Sequence, residues 1–194
     1  MKEAEVSVSA ADGLEITVRE NVCESVENQQ KQSLAITVYD NGRKGSATTS
    51  DFSDEALKKT VKAAKIIATH GESDKYAGLI KKNYLCDEFK ELGLDNPWPV
   101  ETEQLIDLAK QVESVGLSKA TAKQQSDGVT ISKSRGSRAY ATTDGFNQAY
   151  CATQNSISSI MIASDTSGKM QKGYYYSSNR DPELLESADH IGAM

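Results

Sequence analysis

The chain has 194 residues, a length suited to one ordinary domain. Its 28 acidic residues outweigh 22 basic ones, giving a net charge of -6 and a pI near 5.1, and no basic stripe argues for a nucleic-acid partner. No apolar run approaches the roughly 20 residues of a membrane span, and three cysteines with two histidines exclude both a disulfide framework and a histidine-rich metal centre.

The first 50 residues read as β structure. Ala4, Val6 and Val8 alternate with Glu5, Ser7 and Ser9, and Leu14, Ile16 and Val18 alternate with Glu15, Thr17 and Arg19. Asp12-Gly13 between them predicts a tight turn, because both residues tolerate positive φ. A more polar strand is expected over Val22 to Gln29, near a sheet edge, and another at Leu34, Ile36 and Val38. Asp40-Asn41-Gly42-Arg43 is the strongest hairpin signal, returning into Lys44 to Thr49, where Gly45 and Ser46 leave room for a close neighbour. A helix follows over 53–70, with Ser53 as N-cap, Asp54 and Glu55 in its first turn, and Leu57, Val61, Ala64 and Ala68 as its apolar stripe beside Ile67.

Periodicity fails over 72–100, where Asn96-Pro97-Trp98-Pro99 forbids regular structure. Tyr84, Leu85, Phe89 and Trp98 are the expected anchors of a loop packed on the surface. A second helix is predicted over 101–115, burying Leu105, Leu108, Ala109 and Val112 and ending at Gly116. The block 117–180 is β-rich again, with turns at Asp127-Gly128, Asp144-Gly145 and Ser167-Gly168. Val129 and Ile131 mark one strand and Ser137 to Thr142 another; Gln148 to Asp165 is long enough to expect a bulge or bend. Tyr174, Tyr175 and Tyr176 fall on the last strand, where cross-strand packing is the expected role. Asp181-Pro182-Glu183 starts a terminal helix over 181–193 whose stripe, Leu184, Leu185, Ala188 and Ile191, looks cut short.

The chain offers little catalytic material. A zinc hydrolase needs two or three ligands held at helical spacing with a carboxylate base. His70 stands at a helix end and His190 near Glu186 and Asp189, and each reads as a helix-terminal or solvent-side histidine and not as a ligand. No serine sits in a Gly-x-Ser-x-Gly elbow. Cys23, Cys86 and Cys151 include no Cys-x-x-Cys pair, and Cys151, on an alternating strand, reads as packing and not as a nucleophile. Glu24 with Glu27, and Glu101 with Glu103, read as solvated faces, and Gly136 and Gly145 belong to turns without a phosphate-binding strand–loop–helix unit. Catalytic, cofactor-binding and metal-ligating residues are therefore all expected to be absent from this chain.

Two strings carry a resemblance. Ala35-Ile36-Thr37-Val38-Tyr39-Asp40-Asn41-Gly42-Arg43-Lys44-Gly45-Ser46-Ala47-Thr48-Thr49-Ser50-Asp51-Phe52-Ser53, followed by Thr60-Val61-Lys62-Ala63-Ala64, resembles the N-terminal region of the PmbA (TldE) branch of the TldD/PmbA proteins. So do Asp144-Gly145-Phe146, Tyr150-Cys151-Ala152-Thr153, Ser156-Ile157-Ser158-Ser159 and Met170-Gln171-Lys172-Gly173-Tyr174-Tyr175-Tyr176. The resemblance implies a cytoplasmic, heteromeric zinc metallopeptidase acting on unfolded peptides, a family associated with microcin maturation, antitoxin degradation and modulation of DNA gyrase. Its zinc motif, His-Glu-x-x-x-His, belongs to the C-terminal half of the TldD-type subunit and is not found here. No catalytic residue carries over.

The expected fold is α+β, mainly antiparallel strands in two sequence blocks with covering helices. The expected organisation is a single PmbA/TldD-type N-terminal domain over 1–194, with the family's C-terminal domain absent. The expected function is that of a noncatalytic part of a PmbA/TldE-type subunit, with zinc held only by a TldD-type partner. Its own ligand would be an extended peptide, and neither nucleic acid nor membrane is an expected partner. The charged start Met1-Lys2-Glu3 leads directly into a strand and argues for the cytoplasm. The alternative is a stand-alone protein- or peptide-binding module, acting through the tyrosine-bearing strand or the Pro-Trp-Pro loop.

Overall fold

The computed structural model describes residues 3–86, 90–119 and 123–194. It contains strands β1 (Glu3–Arg19), β2 (Val22–Asp40), β3 (Arg43–Thr49), β4 (Lys123–Thr142), β5 (Asn147–Ser164) and β6 (Met170–Asn179). The helices are α1 (Asp54–His70), α2 (Thr102–Ser118) and α3 (Ala188–Ala193). The strands form one antiparallel sheet in the order β3-β2-β1-β4-β5-β6, so the fold is α+β as expected. The chain groups into two compact units.

One unit gathers Met1–Ala11, Gln30–Leu92 and Gly136–Cys151. Its hairpin pairs β2 with β3 from Leu34↔Thr49 to Asp40↔Arg43. Asn41 and Gly42 turn it with φ of 52° and 72°, the two successive positive values that a type I′ turn requires. Helix α1 starts where Ser53 Oγ accepts from Ala56 N, and it lies close on β3. Gly45 permits that approach, since a Cβ there would lie 2.1 Å from the Ala64 carbonyl oxygen. The core is correspondingly small: Val38, Ala64 and Ala68, with Ala4, Ile36 and Ala47 around them. Ile67, placed beside the stripe from the sequence, is exposed. Within the same unit Glu5 accepts hydrogen bonds from two phenols, Tyr39 on β2 at 3.0 Å and Tyr140 on β4 at 2.5 Å.

The other unit gathers Asp12–Gln29, Gly93–Arg135 and Ala152–Met194. Here Ile16, Val18, Val129, Ile131 and Ile157 from the strands meet Leu105, Ala109 and Val112 from α2 and Ala188 and Ile191 from α3. Fully burying each large aliphatic side chain contributes about 1.5–3 kcal/mol. Helix α2 opens with a capping box between Glu101 and Gln104. Helix α3 packs on it at glycine: a Cβ on Gly192 would meet the Val112 carbonyl oxygen at 2.5 Å.

Several expected boundaries move. Asp12-Gly13 is not a turn: β1 runs unbroken to Arg19, and the chain reverses at Glu20 and Asn21, with φ of 52° and 60°. The separate strands expected over 22–29 and 34–38 are one strand, β2. Asp127-Gly128 lies inside β4, where Gly128 holds φ of 120° and its N–H is accepted by Ser126 Oγ. In each case lateral strand pairing over many residues outweighs a local turn preference. Asp144-Gly145 and Ser167-Gly168 do turn the chain, with positive φ at both glycines. The β5–β6 register runs from Asn155↔Asn179 to Ser164↔Met170 without a skipped residue, so no bulge interrupts that pairing.

Gly116 does not end α2, which continues to Ser118; it is buried, and a Cβ there would meet Met161 Cε at 2.5 Å. The terminal segment is not one helix. A 3₁₀ turn at Pro182–Leu184, capped by Asp181, is followed by α3, capped by Ser187. Between 72 and 100 the described residues are irregular apart from a 3₁₀ turn at Lys82–Tyr84. Trp98 anchors its end of the loop on the core, whereas Tyr84 is exposed, Leu85 is half-buried and Phe89 lies outside the described residues.

Candidate functional site

Strand β6 closes the sheet on one side. Asp165 organises the turn that leads into it. Its Oδ1 accepts from Ser167 N at 2.8 Å, Ser167 Oγ at 2.7 Å and Lys169 N at 2.9 Å. Those bonds, the Ser167 hydroxyl foremost, hold the Asp165 carboxyl below the usual range. The chain then returns antiparallel along β5. A strand with one neighbour presents its remaining N–H and C=O groups outward, ready to pair with another extended segment.

The side chains of β6 divide by period two. Tyr175 is half-buried against the core, edge-on to His190 with ring centroids 5.8 Å apart, and its hydrogen bond to the Glu186 carboxylate raises its phenol pKa. Tyr174 and Tyr176 face outward and are 76% and 60% exposed, against the expected packing role for the whole run. Met170 at the strand's start is also exposed. Lys172 pairs with Asp127 on β4 at 2.5 Å. The hydrogen bond from its ammonium comes first, and its charge second, in holding the Asp127 carboxyl below the usual range.

A cavity of about 360 Å³ opens beside the strand, lined among others by Lys119, Met161, Tyr174, Tyr175 and Ile191. The arrangement suits an extended peptide: main-chain groups along the strand, aromatic faces outside it, and a recess for a side chain.

The residues weighed for catalysis do not come together. His70 lies exposed in the last turn of α1, and His190, exposed on α3, stands 3.7 Å from Glu186. Cys23 is half-buried and donates to Ser25 O, Cys151 is half-buried, and Cys86 is exposed. Sequence reasoning passed over Glu113, which falls four residues after Ala109 on the buried stripe and is 1% exposed. It also passed over Asn155, 1% exposed on the inward register of β5 with Thr153 and Ile157. A polar residue at an apolar period was the signal in both cases.

Residues 4–68 match the family model described as PmbA/TldA metallopeptidase domain 1, and residues 95–193 match that of its central domain. The chain belongs to the PmbA/TldD metallopeptidase family. It is 33% identical over 190 residues to the metalloprotease PmbA of Escherichia coli O157:H7, covering 98% of this chain and 42% of that protein. The chain thus spans less than half the length of that relative. Its fold is similar to a Bacteroides thetaiotaomicron protein described as a modulator of DNA gyrase, with a TM-score of 0.84 at 19% identity, over 98% of this chain and 44% of that one. It is also similar to TldE from Thermococcus kodakarensis, with a TM-score of 0.72 at 14% identity, over 99% and 42%.

A metallopeptidase works through a bound metal ion. Among the described residues no three His, Cys, Asp or Glu side chains gather as ligands, so the donor set present does not fit such an ion. No helix among the described residues is long and apolar enough to cross a membrane.

Proposed function

We propose that this chain is the noncatalytic, peptide-holding portion of a PmbA/TldE-type subunit of a cytoplasmic zinc metallopeptidase that processes or degrades unfolded peptides. The zinc belongs to a TldD-type partner subunit. The observation that carries this reading is the outer edge of β6, with Tyr174 and Tyr176 exposed beside it. Main-chain pairing along such an edge favours extended over folded chains and is nearly indifferent to sequence. Family membership supports the peptidase setting.

The test is reconstitution. The chain incubated with zinc and an unstructured peptide gives no cleavage; the whole PmbA-type subunit with a TldD-type partner gives cleavage. Hydrogen exchange on the chain with peptide present shows slowed exchange along Met170–Asn179. Robust hydrolysis by the chain alone, or peptide binding that leaves β6 exchange unchanged, overturns the reading.

A further inference from the structure

A second cavity, of about 390 Å³, lies under the Pro97-Trp98 segment. Its size falls in the range of small-ligand sites, about 300–1,000 Å³. Leu14 and Trp98 supply apolar walls, and Asp12, Lys133, Thr153 and Asn155 supply polar ones.

The covering segment is held in place. Leu94 O accepts from Thr153 N at 2.9 Å, and Asn96 N donates to Thr153 Oγ1 at 2.9 Å. Arg135 grips Asp95 with two bonds, of 2.8 and 2.6 Å, and Trp98 packs on the core. A loop tied at this many points keeps its cavity formed before any ligand arrives.

Three polar groups around this cavity have bonding capacity left over. Asn155, 1% exposed, donates from Nδ2 to Arg180 O at 2.9 Å, while its Oδ1 accepts no hydrogen bond among the described residues. Buried polar atoms are nearly always paired, so this acceptor marks a place for a donor. The Lys133 ammonium donates to Val100 O at 2.6 Å and Trp98 O at 3.4 Å, both neutral carbonyls, and no carboxylate pairs with it among the described residues. An ammonium has three donors, so one N–H and the whole charge remain uncompensated. The Trp98 indole N–H, a donor only, likewise has no partner among the described residues.

A half-buried cation, a neutral donor, an orphan acceptor and apolar walls together describe one ligand chemistry. We propose that this cavity takes the free carboxy terminus of a peptide. The carboxylate meets Lys133 and the indole N–H, the last amide N–H meets Asn155 Oδ1, and an apolar terminal side chain lies against Leu14 and Trp98. Asp12, also on the wall, disfavours an acidic terminal residue. The inference does not depend on pairing at β6, because it uses different residues and needs neither partner nor metal.

Trp98 is the chain's one tryptophan, so its fluorescence reports on the cavity directly. The full chain is titrated with N-acetyl-alanyl-leucine, with the same peptide as its C-terminal amide, and with free leucine, and affinities are checked by calorimetry. The expected result is a saturable emission change with the acid. The amide binds about tenfold or more weaker, the cost of losing one charge-assisted bond. Free leucine, whose ammonium offers charge where an amide is expected, binds more weakly than the peptide acid; equal or tighter binding of leucine overturns the peptide assignment. Lys133→Met abolishes the preference for acid over amide and Lys133→Arg retains it. Because Lys133 also holds the loop, circular dichroism accompanies both variants, and the acid–amide comparison on the unaltered chain decides the matter alone. No saturable change with the acid, or equal affinity for acid and amide, overturns the proposal.

Discussion

Glu113 accepts the backbone N–H of Asn21 at 2.6 Å, and its second oxygen accepts that of Glu20 at 2.9 Å. A carboxyl group from α2 thereby holds the turn between β1 and β2. Both turn residues have positive φ, a conformation that costs most L-residues about 1–2 kcal/mol. Replacing Glu113 by alanine leaves two N–H groups without their acceptor and is expected to destabilise the chain by about 1–3 kcal/mol. Glu113→Gln, which keeps one acceptor oxygen, falls between. Urea unfolding midpoints check the order, with the slope unchanged if only stability moves.

Gly45→Ala places a Cβ 2.1 Å from the Ala64 carbonyl oxygen and 2.3 Å from the Ala68 nitrogen. Both are helix backbone and cannot turn aside, so α1 must lift from β3. The expected loss is about 1–3 kcal/mol, as for overpacking elsewhere. Faster amide exchange in α1 identifies the cause; a thermal midpoint matching that of the parent chain contradicts it.

Tyr39 links stability to alkaline pH. Burial, and then its bond to Glu5 and the charges of Glu5 and Glu3, push its phenol from 10.0 up to about 12. Tyr140 moves in the same direction for the same leading reasons, burial and Glu5. A raised folded-state value means this contribution is complete below pH 10 and is lost as pH rises toward about 12. Absorbance titration of the eight tyrosines should show late-ionising phenols. Glu5→Gln should bring them earlier and flatten the fall in stability across that window.

Tyr174→Glu with Tyr176→Glu alters two exposed side chains on the outer strand. Stability should stay within about 0.5 kcal/mol, as for surface substitutions generally. Capture of an unstructured, acidic peptide should weaken, because aromatic faces are lost and like charge is added. Peptide affinity measured by fluorescence anisotropy tests this, and unchanged affinity removes the tyrosines from the binding surface.

The local elements were legible where local physics dominates. Asn41-Gly42 tolerates two positive φ values, and Ser53 caps a helix whose first turn is acidic; both stand where their residues predict. The small Gly45 also marks room for a close neighbour, but that α1 fills it is decided by the packing. The edge at β6 was readable only in part: the tyrosines were placed on the last strand, but their division into one half-buried and two exposed rings needed the sheet order.

By itself the sequence determined the α+β class, the strand alternation, the hairpin at Asn41-Gly42 and the cap of α1, because each depends on residues a few positions apart. Only the tertiary structure decided that Asp12-Gly13 stays extended while Glu20-Asn21 turns. Lateral pairing along β1 and a carboxyl group 92 residues away from Asn21 set that outcome. It alone also placed Lys133, Trp98 and Asn155 around one cavity. Such placements rest on contacts between distant segments, and no local period in the sequence records them.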